Sequence, residues 1–337
     1  MRYHKGETSV MEIERLALSL RDYLGTTRKH TIKNIVGIFD EDGTNPSFGE
    51  DAAIIDNGDQ ALLLAADGIW DKLMRADPEW SGYCSVLVNV HDIAAMGGRP
   101  LGMVDVFSSN SDEITQKVLK GMKEGIDKFN VPIVGGHVHP DTPYSALDVA
   151  ILGIAKKDCV IYSSTARAGD DVVLAIDLDG RVHPSCDLNW DSTYLKEPQI
   201  VRQQVSSMVE LGENKLLTAG KDVSNPGIIG TLGMLLEVSG VGADVDMSTM
   251  PKPEGLEFDH WLKMYPGMGF IVTCKPENTK KVIQVYSNHK LNATKIGKIV
   301  SAPRLDIVKG EERATVFDFT KHEITGLGPA RGRCNNR

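Results

Sequence analysis

Asn89-Val90-His91-Asp92-Ile93-Ala94-Ala95-Met96-Gly97-Gly98-Arg99-Pro100 sets one carboxylate in a run that is otherwise largely apolar. From Tyr83 to Met96 the spacing is helical: Val86, Val90, Ile93 and Ala94 fall on one stripe. Asn89 and Asp92 stand three apart and share a neighbouring face. Gly97-Gly98 ends the helix and Pro100 forbids its resumption. An acid on such a helix must be exposed, paired or bound to a cation.

Two further acids bracket a hairpin upstream. Phe48 to Ile55 opens a strand, Asn57-Gly58 is a hairpin turn signal, and Ala61 to Ala66 is a buried strand ending at Asp67-Gly68. Antiparallel pairing would set Asp51, at the start of one strand, beside Asp67, at the end of the next. Such a pair repels unless a cation lies between; the alternative is two solvated loop acids.

Outward from this centre, residues 9–24 read as an amphipathic helix. The polar segment Gly25–Gly49, holding Arg28, Lys29 and His30, reads as a flap over a ligand or a surface loop. After the central helix come a strand over 101–107, a helix over 112–129 capped by Ser111, and a short strand over 131–134. That strand runs into Gly135-Gly136-His137-Val138-His139-Pro140-Asp141, and a strand over 147–154 follows. The order strand, strand, helix, strand, helix, strand, strand is α+β, not a run of βαβ units.

Beyond it, Ala168-Gly169-Asp170 leads into a strand over 172–176, and 177–198 reads as a polar insertion or substrate loop. Helices are expected at about 199–211, 228–239 and 277–287, the second capped by Ser224 or Asn225. Strands are expected at 242–246, 269–274 and 294–300. Two domains follow, 1–165 and 166–337, as 337 residues and 41% hydrophobic content allow.

A net charge of −9 argues against a nucleic-acid partner, although an acidic protein can bind a polyphosphate through divalent cations. No apolar run approaches the roughly 20 residues that span a bilayer. Glu12 and Glu14 interrupt any signal-peptide core. Five scattered cysteines without a C-x-x-C pair support neither a zinc site nor a disulfide framework. The expectation is a soluble cytoplasmic protein without a membrane partner. No P-loop, G-x-G-x-x-G, H-E-x-x-H or G-x-S-x-G is present, so any nucleotide needs another device.

Taken in order, Gly49-Glu50-Asp51-Ala52-Ala53, Ala66-Asp67-Gly68, Asn89 to Pro100, Val134-Gly135-Gly136-His137 and Asp222-Val223-Ser224 resemble the motifs of the aminoimidazole ribonucleotide (AIR) synthetase superfamily, the PurM-like proteins. Its members include selenophosphate synthetase, thiamine-monophosphate kinase and the hydrogenase maturation protein HypE. The likeness covers about residues 8–300. Finer matches, Ala65 to Trp70, Val88 to Asp92, Gly135 to Asp141 and Lys221 to Gly227, resemble the archaeal branch known as methanogenesis marker protein 2.

The resemblance implies a two-domain PurM-like α/β fold whose N-terminal sheet completes a barrel across a homodimer. It implies ATP held through Mg²⁺ by Asp51, Asp67, Asp92 and Asp222. The candidate nucleotide contacts are Asn89, Gly135, Gly136, Asp141 and Ser224; Gly135-Gly136 would let backbone N–H groups approach phosphate. His137 and His91 are the catalytic candidates. With His139 they could bind a transition metal or move protons near neutral pH; the alternative is histidines that merely orient the loop or the phosphates.

Several positions depart from the superfamily pattern: Glu50 and Asn225 replace aspartates, and His137 stands where the kinase-like branches carry Asp. No cysteine precedes Cys84, so the reactive residue of selenophosphate synthetase is missing. Cys334 is either an acceptor like the C-terminal cysteine of HypE or a free thiol. The implied function is an Mg²⁺-dependent ATP-binding enzyme that phosphorylates or activates a small molecule or amide, in cofactor or enzyme maturation linked to methanogenesis. The alternative is a non-catalytic nucleotide-binding scaffold in a maturation complex.

Overall fold

The computed structural model of the chain describes residues 4–40 and 48–329. It opens on helices α1 (His4–Arg21), α2 (Leu24–Thr27) and α3 (Ile32–Phe39), with a 3-10 turn over Arg28–Thr31. The segment read as a flap or loop is therefore helical through Phe39. Its local sequence is poor in helix formers, and tertiary contact overrides that: a Cβ on Gly25 would stand 2.3 Å from the Asn225 carbonyl oxygen. Residues 41–47 of that expectation, and Cys334, lie outside the described residues.

Strands β1 (Ala53–Asn57) and β2 (Gln60–Gly68) form the expected antiparallel hairpin, Asn57 opposite Gln60. After α4 (Asp71–Ala76), helix α5 (Pro78–Ala95) begins earlier than the apolar stripe alone shows. Asp77 caps it by accepting the Trp80 N–H at 3.0 Å, and Pro78 fills the first helical position, where no N–H is needed. It ends as expected. Gly97 takes φ +73°, and the N–H groups of Gly97 and Gly98 donate back to Ala94 and Ile93 at 2.8 and 3.0 Å.

β3 (Arg99–Ser108), α6 (Asp112–Phe129), β4 (Ile133–His139) and β5 (Ala146–Lys156) complete a five-stranded sheet of order β1-β2-β5-β3-β4. Ser111 caps α6, accepting the Ile114 N–H at 3.3 Å. Gly135-Gly136-His137 is not a turn: it lies inside edge strand β4, with His137 opposite Val106 of parallel β3. Along β5, Leu147, Val149 and Ile151 face the helices, while Asp148 and Leu152 face away.

The second half contains β6 (Asp171–Ile176), β7 (Arg181–His183), β8 (Cys186–Asp191), α7 (Pro198–Glu213), β9 (Ala219–Asp222), α8 (Gly227–Ser239), β10 (Gly242–Asp246), α9 (Phe258–Trp261), β11 (Gly269–Cys274), α10 (Thr279–Asn288), β12 (Asn292–Val300), β13 (Arg304–Lys309) and β14 (Glu312–Asp318). Seven of the strands form a sheet of order β14-β13-β10-β12-β6-β11-β9. The supposed loop 177–198 instead holds the β7–β8 hairpin. It is tied to α5 by Trp80 Nε1 donating to Asn189 at 2.8 Å and the Tyr83 hydroxyl donating to Thr193 at 2.8 Å. Neither Ser224 nor Asn225 caps α8; Pro226 takes that position.

One core joins the first sheet to α5, α6 and α7 through Leu63, Val86, Ile151 and Met208. A second joins Ile13, Ala17 and Leu20 of α1 to Leu232 of α8 and Ile307 of β13. Helix α5 packs on β2 and β5 on one side and on β9 and α7 on the other, which buries it nearly all round. Among the described residues no helix is long and apolar enough to cross a membrane.

Candidate metal centre

Four carboxylates far apart in sequence belong to elements that meet around α5. Asp51 precedes β1, Asp67 lies near the end of β2, Asp92 sits on α5 and Asp222 ends β9. Because α5 wedges between β2 and β9, Asp92 stands between acids from both sheets. Side-chain oxygens of Asp51, Asp92 and Asp222 lie within 4.8 Å of one another. Asp67 acts on Asp92 as a like charge.

Two ammonium groups share this space. Lys221 is buried and pairs with Asp51, whose side chain is only 5% exposed. Burial lowers the pKa of Lys29, from the 3-10 turn, and Lys221 adds to that, while Asp67, Asp222 and Asp92 oppose it. Burial, reinforced by its acidic neighbours, raises Asp92 well above the carboxylate range. Burial and Asp51 push Asp222 to about 8, with Lys221 opposing. At Asp51 burial outweighs even its own ion pair with Lys221, and the net direction is upward. Asp67 is also raised by the protein crowding its carboxyl, but the residue is solvent-exposed, so water at the mouth tempers the shift.

The carboxylates crowd one another in a buried space. The Asp51 Oδ2 is buried with no hydrogen-bond partner. The donors are all hard oxygens, and carboxylates outnumber ammonium groups. Both features fit Mg²⁺, which takes one or two carboxylates and completes its shell with water and phosphate oxygens. They do not fit zinc, copper or nickel, for which nitrogen or sulfur donors would be expected.

Asp67 and Asp222 also border a cavity of about 200 Å³. Arg28 and Lys29 stand at the same cavity, and Trp70, Leu73, Cys84 and Val88 form much of its apolar wall. The Arg28 guanidinium lies 5.2 Å from the Trp70 ring centre. Ser224 and Asn225 line the far side with Tyr265. Lys29 and Lys221 are the functional candidates the sequence did not single out. Their signal was adjacency: Lys221 directly precedes Asp222, and Lys29 lies in the polar segment already suspected of covering a ligand.

The remaining candidates lie elsewhere. Asn89 is fully buried; its amide donates to the Ser85 carbonyl at 2.8 Å, and its Oδ1 has no partner. Gly136 is three strands along from Asp67 in one row, Asp67–Val149–Asp105–Gly136, roughly 14 Å at the usual strand spacing. His137 and His139 are exposed on β4 with ring centres 4.6 Å apart, and Asp141 is exposed in the turn that follows. Glu50 is engaged by hydrogen bonds, accepting the Ser163 N–H at 2.5 Å and the Ser164 hydroxyl at 2.8 Å, and it acts on neighbouring Asp51 as a like charge.

His91 does not turn toward Asp92's partners. It is 1% exposed, among the rings of Phe129 and Phe270, and burial alone lowers its pKa to about 4. A neutral imidazole in an apolar setting is a poor proton shuttle at neutral pH. Its signature is in stability instead. An unfolded His91 takes up a proton near pH 6.5 and the folded one only near 4, so folding loses stability as pH falls between these values. His91→Leu is expected to flatten that loss by about 2 kcal/mol in urea unfolding compared at pH 7 and pH 4.5.

Comparison with known proteins settles the family. A sequence model of the N-terminal domain of AIR synthase related proteins matches residues 49–155, and one of their C-terminal domain matches residues 167–310. The chain belongs to the AIR synthase related family. An uncharacterized protein of Methanocaldococcus jannaschii is 47% identical over 94% of this chain and 100% of its own length. An uncharacterized protein of Synechocystis is 38% identical over 93% of this chain and 98% of its own. The fold matches Thermotoga maritima PurL complexed with ADP at a TM-score of 0.76 and 17% identity. That match covers 95% of this AIR synthase-related chain and 52% of PurL, so the chain spans about half of PurL's length.

Proposed function

We propose that this AIR synthase-related protein is an Mg²⁺-dependent ATP-binding enzyme that phosphorylates, or activates through a phosphoryl intermediate, an oxygen of a small molecule or amide. The observation that carries the proposal is the buried, unpartnered Asp51 Oδ2 beside Asp92 and Asp222. Support comes from PurL, a protein of the same fold solved with ADP. Asp51, Asp92 and Asp222 would hold the ion, with Asp67 at the rim. When bound, Mg²⁺ supplies charge neutralisation to phosphate oxygens.

The chain's own residues supply the rest. Lys29 and Arg28 bring fixed positive charge to the cavity mouth, where transferring phosphate oxygens gather charge. Lys221 holds Asp51 in place through their ion pair. The apolar wall at Leu73 and Val88 limits water, so the acceptor rather than solvent meets the phosphoryl group. The test is ATP binding by calorimetry with and without Mg²⁺.

A homodimer belongs to the same proposal. Ile55, Leu64, Leu152, Val104 and Val106 leave an apolar outer face on the first sheet, and each remains at least one-third exposed in the single chain. Monomers rarely leave a contiguous apolar patch of this kind uncovered. Leu64→Lys is expected to convert a dimer into a folded monomer in sedimentation analysis. A dimer that survives this charge would place the interface elsewhere.

A further inference from the structure

Phosphate groups that fill the cavity bordered by Asp67 and Asp222 leave no room in it for a base. An apolar cavity of about 150 Å³ takes up benzene, so about 200 Å³ holds phosphates or a ring, not both. With Arg28, Lys29, Asp67 and Asp222 on its wall, the space suits phosphate and a cation better than a ring. The rest of the nucleotide must then leave through the mouth. Four of the residues lining the cavity are exposed, Arg28, Asp67, Gly68 and Trp70, and they form that mouth. Trp70 alone among them offers an aromatic ring.

Trp70 differs from the other three tryptophans. Trp80, Trp190 and Trp261 are at most 4% exposed. Each of their indole N–H groups donates inside the protein at 2.8 Å, to the Asn189 side chain and to the carbonyls of Asp177 and Pro251 respectively. Trp70 is 36% exposed. It stands at the N-cap of α4, where Ser, Thr, Asp or Asn would accept a backbone N–H, and the indole makes no such bond. Its backbone is nevertheless fixed. The Trp70 carbonyl accepts the Leu73 N–H at 2.9 Å, and the Ile69 N–H donates to the Leu147 carbonyl at 2.9 Å. The ring thus serves neither the core nor the cap, yet it is held at the mouth. The Arg28 guanidinium lies 5.2 Å from its centre and the Lys72 ammonium 4.8 Å, both on exposed side chains. At an exposed site a cation over an aromatic ring holds more weakly than a stacked nucleobase, so an arriving base displaces one of them.

We propose that Trp70 is the platform on which the base of the bound nucleotide stacks, outside the cavity that holds its phosphates. This rests on the ATP-dependent reading above. Asp67 and Trp70 are three residues apart, at most about 11 Å of chain, so one nucleotide reaches from the carboxylate rim to the ring. Stacking uses the π-face of a base and not its edge. Trp70 therefore orients the nucleotide without choosing among bases.

Acrylamide, a neutral quencher, reports on Trp70 because the other indoles are buried. In the unliganded full chain it is expected to quench one component of the tryptophan fluorescence, which Trp70→Phe removes. Mg²⁺–ATP is expected to cut that quenching by about half or more, since a stacked base shields a face of the ring. Mg²⁺–tripolyphosphate, which carries the phosphates without a base, is expected to leave it unchanged. In calorimetry Trp70→Ala is expected to weaken Mg²⁺–ATP about tenfold and Trp70→Phe by about threefold at most, with Mg²⁺–tripolyphosphate affected by neither. Should Trp70→Ala fail to fold, the quenching of the wild type carries the test. Mg²⁺–ATP bound with Trp70 still fully quenched, equal protection by tripolyphosphate, or a Trp70→Ala chain that binds ATP like the wild type would each overturn the stacking while the ATP reading stands. A wild type that binds neither ATP nor tripolyphosphate in Mg²⁺ defeats the ATP reading, and the role of Trp70 with it.

Discussion

Asn in place of Asp92 is expected to weaken Mg²⁺-dependent ATP binding by on the order of 100-fold or more, because even residues supporting a metal ligand are worth about 10–100-fold. The same change should leave the unliganded chain at least as stable as the wild type. Asp92 is surrounded by Asp51, Asp67 and Asp222, all of which raise its pKa together with burial. A neutral amide of the same shape removes that repulsion. Thermal unfolding should therefore show an unchanged or higher midpoint without ligand and no added protection from Mg²⁺–ATP. A residue that served only the fold would show the reverse: lower stability and intact binding.

The second large effect is expected at Lys221. Its ammonium is the cation paired with buried Asp51, and burial has already pushed Asp51 toward its protonated form. Lys221→Met leaves a buried carboxylate unpaired, which typically costs about 3–5 kcal/mol. The cost is greatest where Asp51 must stay ionised. A raised carboxyl pKa means that lowering the pH protonates Asp51 and relieves the penalty, so urea unfolding should show a larger deficit at pH 8 than at pH 5. Adding Asp51→Asn to Lys221→Met should recover part of the loss, and saturating Mg²⁺ should partly replace the missing cation. A Lys221→Met chain as stable as wild type at pH 8 would mean that Lys221 and Asp51 do not depend on one another.

Much of the carboxylate centre was legible before any coordinates. The Asn57-Gly58 signal fixes the hairpin, and the hairpin brings Asp51 and Asp67 to one end of the sheet. Gly97-Gly98 marks where α5 stops. The α+β order of the first half follows from the same punctuation. What stayed hidden depends on contacts between distant segments. A helix buried nearly all round carries no single outward face, so nothing local tells that Asp92 meets Asp222 while adjacent His91 turns toward Phe129 and Phe270.

Two supposed loops make the same point. Residues 25–39 lack strong helix formers and turn helical against Asn225. Residues 177–198 look like a polar insertion, yet Asn189 and Thr193 are held by Trp80 and Tyr83 of α5. By contrast, β13 and β14 were within reach, since Leu305 and Ile307, then Ala314 and Val316, alternate with polar residues in sequence as strands do, although Asp306 between the first two is itself buried. Gly135-Gly136 reads as a phosphate turn in sequence, but a glycine pair is also tolerated in an edge strand, and β4 is one. Glu50 and Asn225, departures from the superfamily pattern, have structural partners: Ser163 and Ser164 for the first, Tyr265 for the second.

The central claim is that the carboxylates hold a divalent cation through which ATP binds. Calorimetric titration of ATP into the wild-type chain, once in millimolar Mg²⁺ and once in EDTA, tests it most directly. Saturable binding in Mg²⁺ that disappears in EDTA is the expected result. Equal ATP affinity in both buffers, or no binding in either, would contradict it.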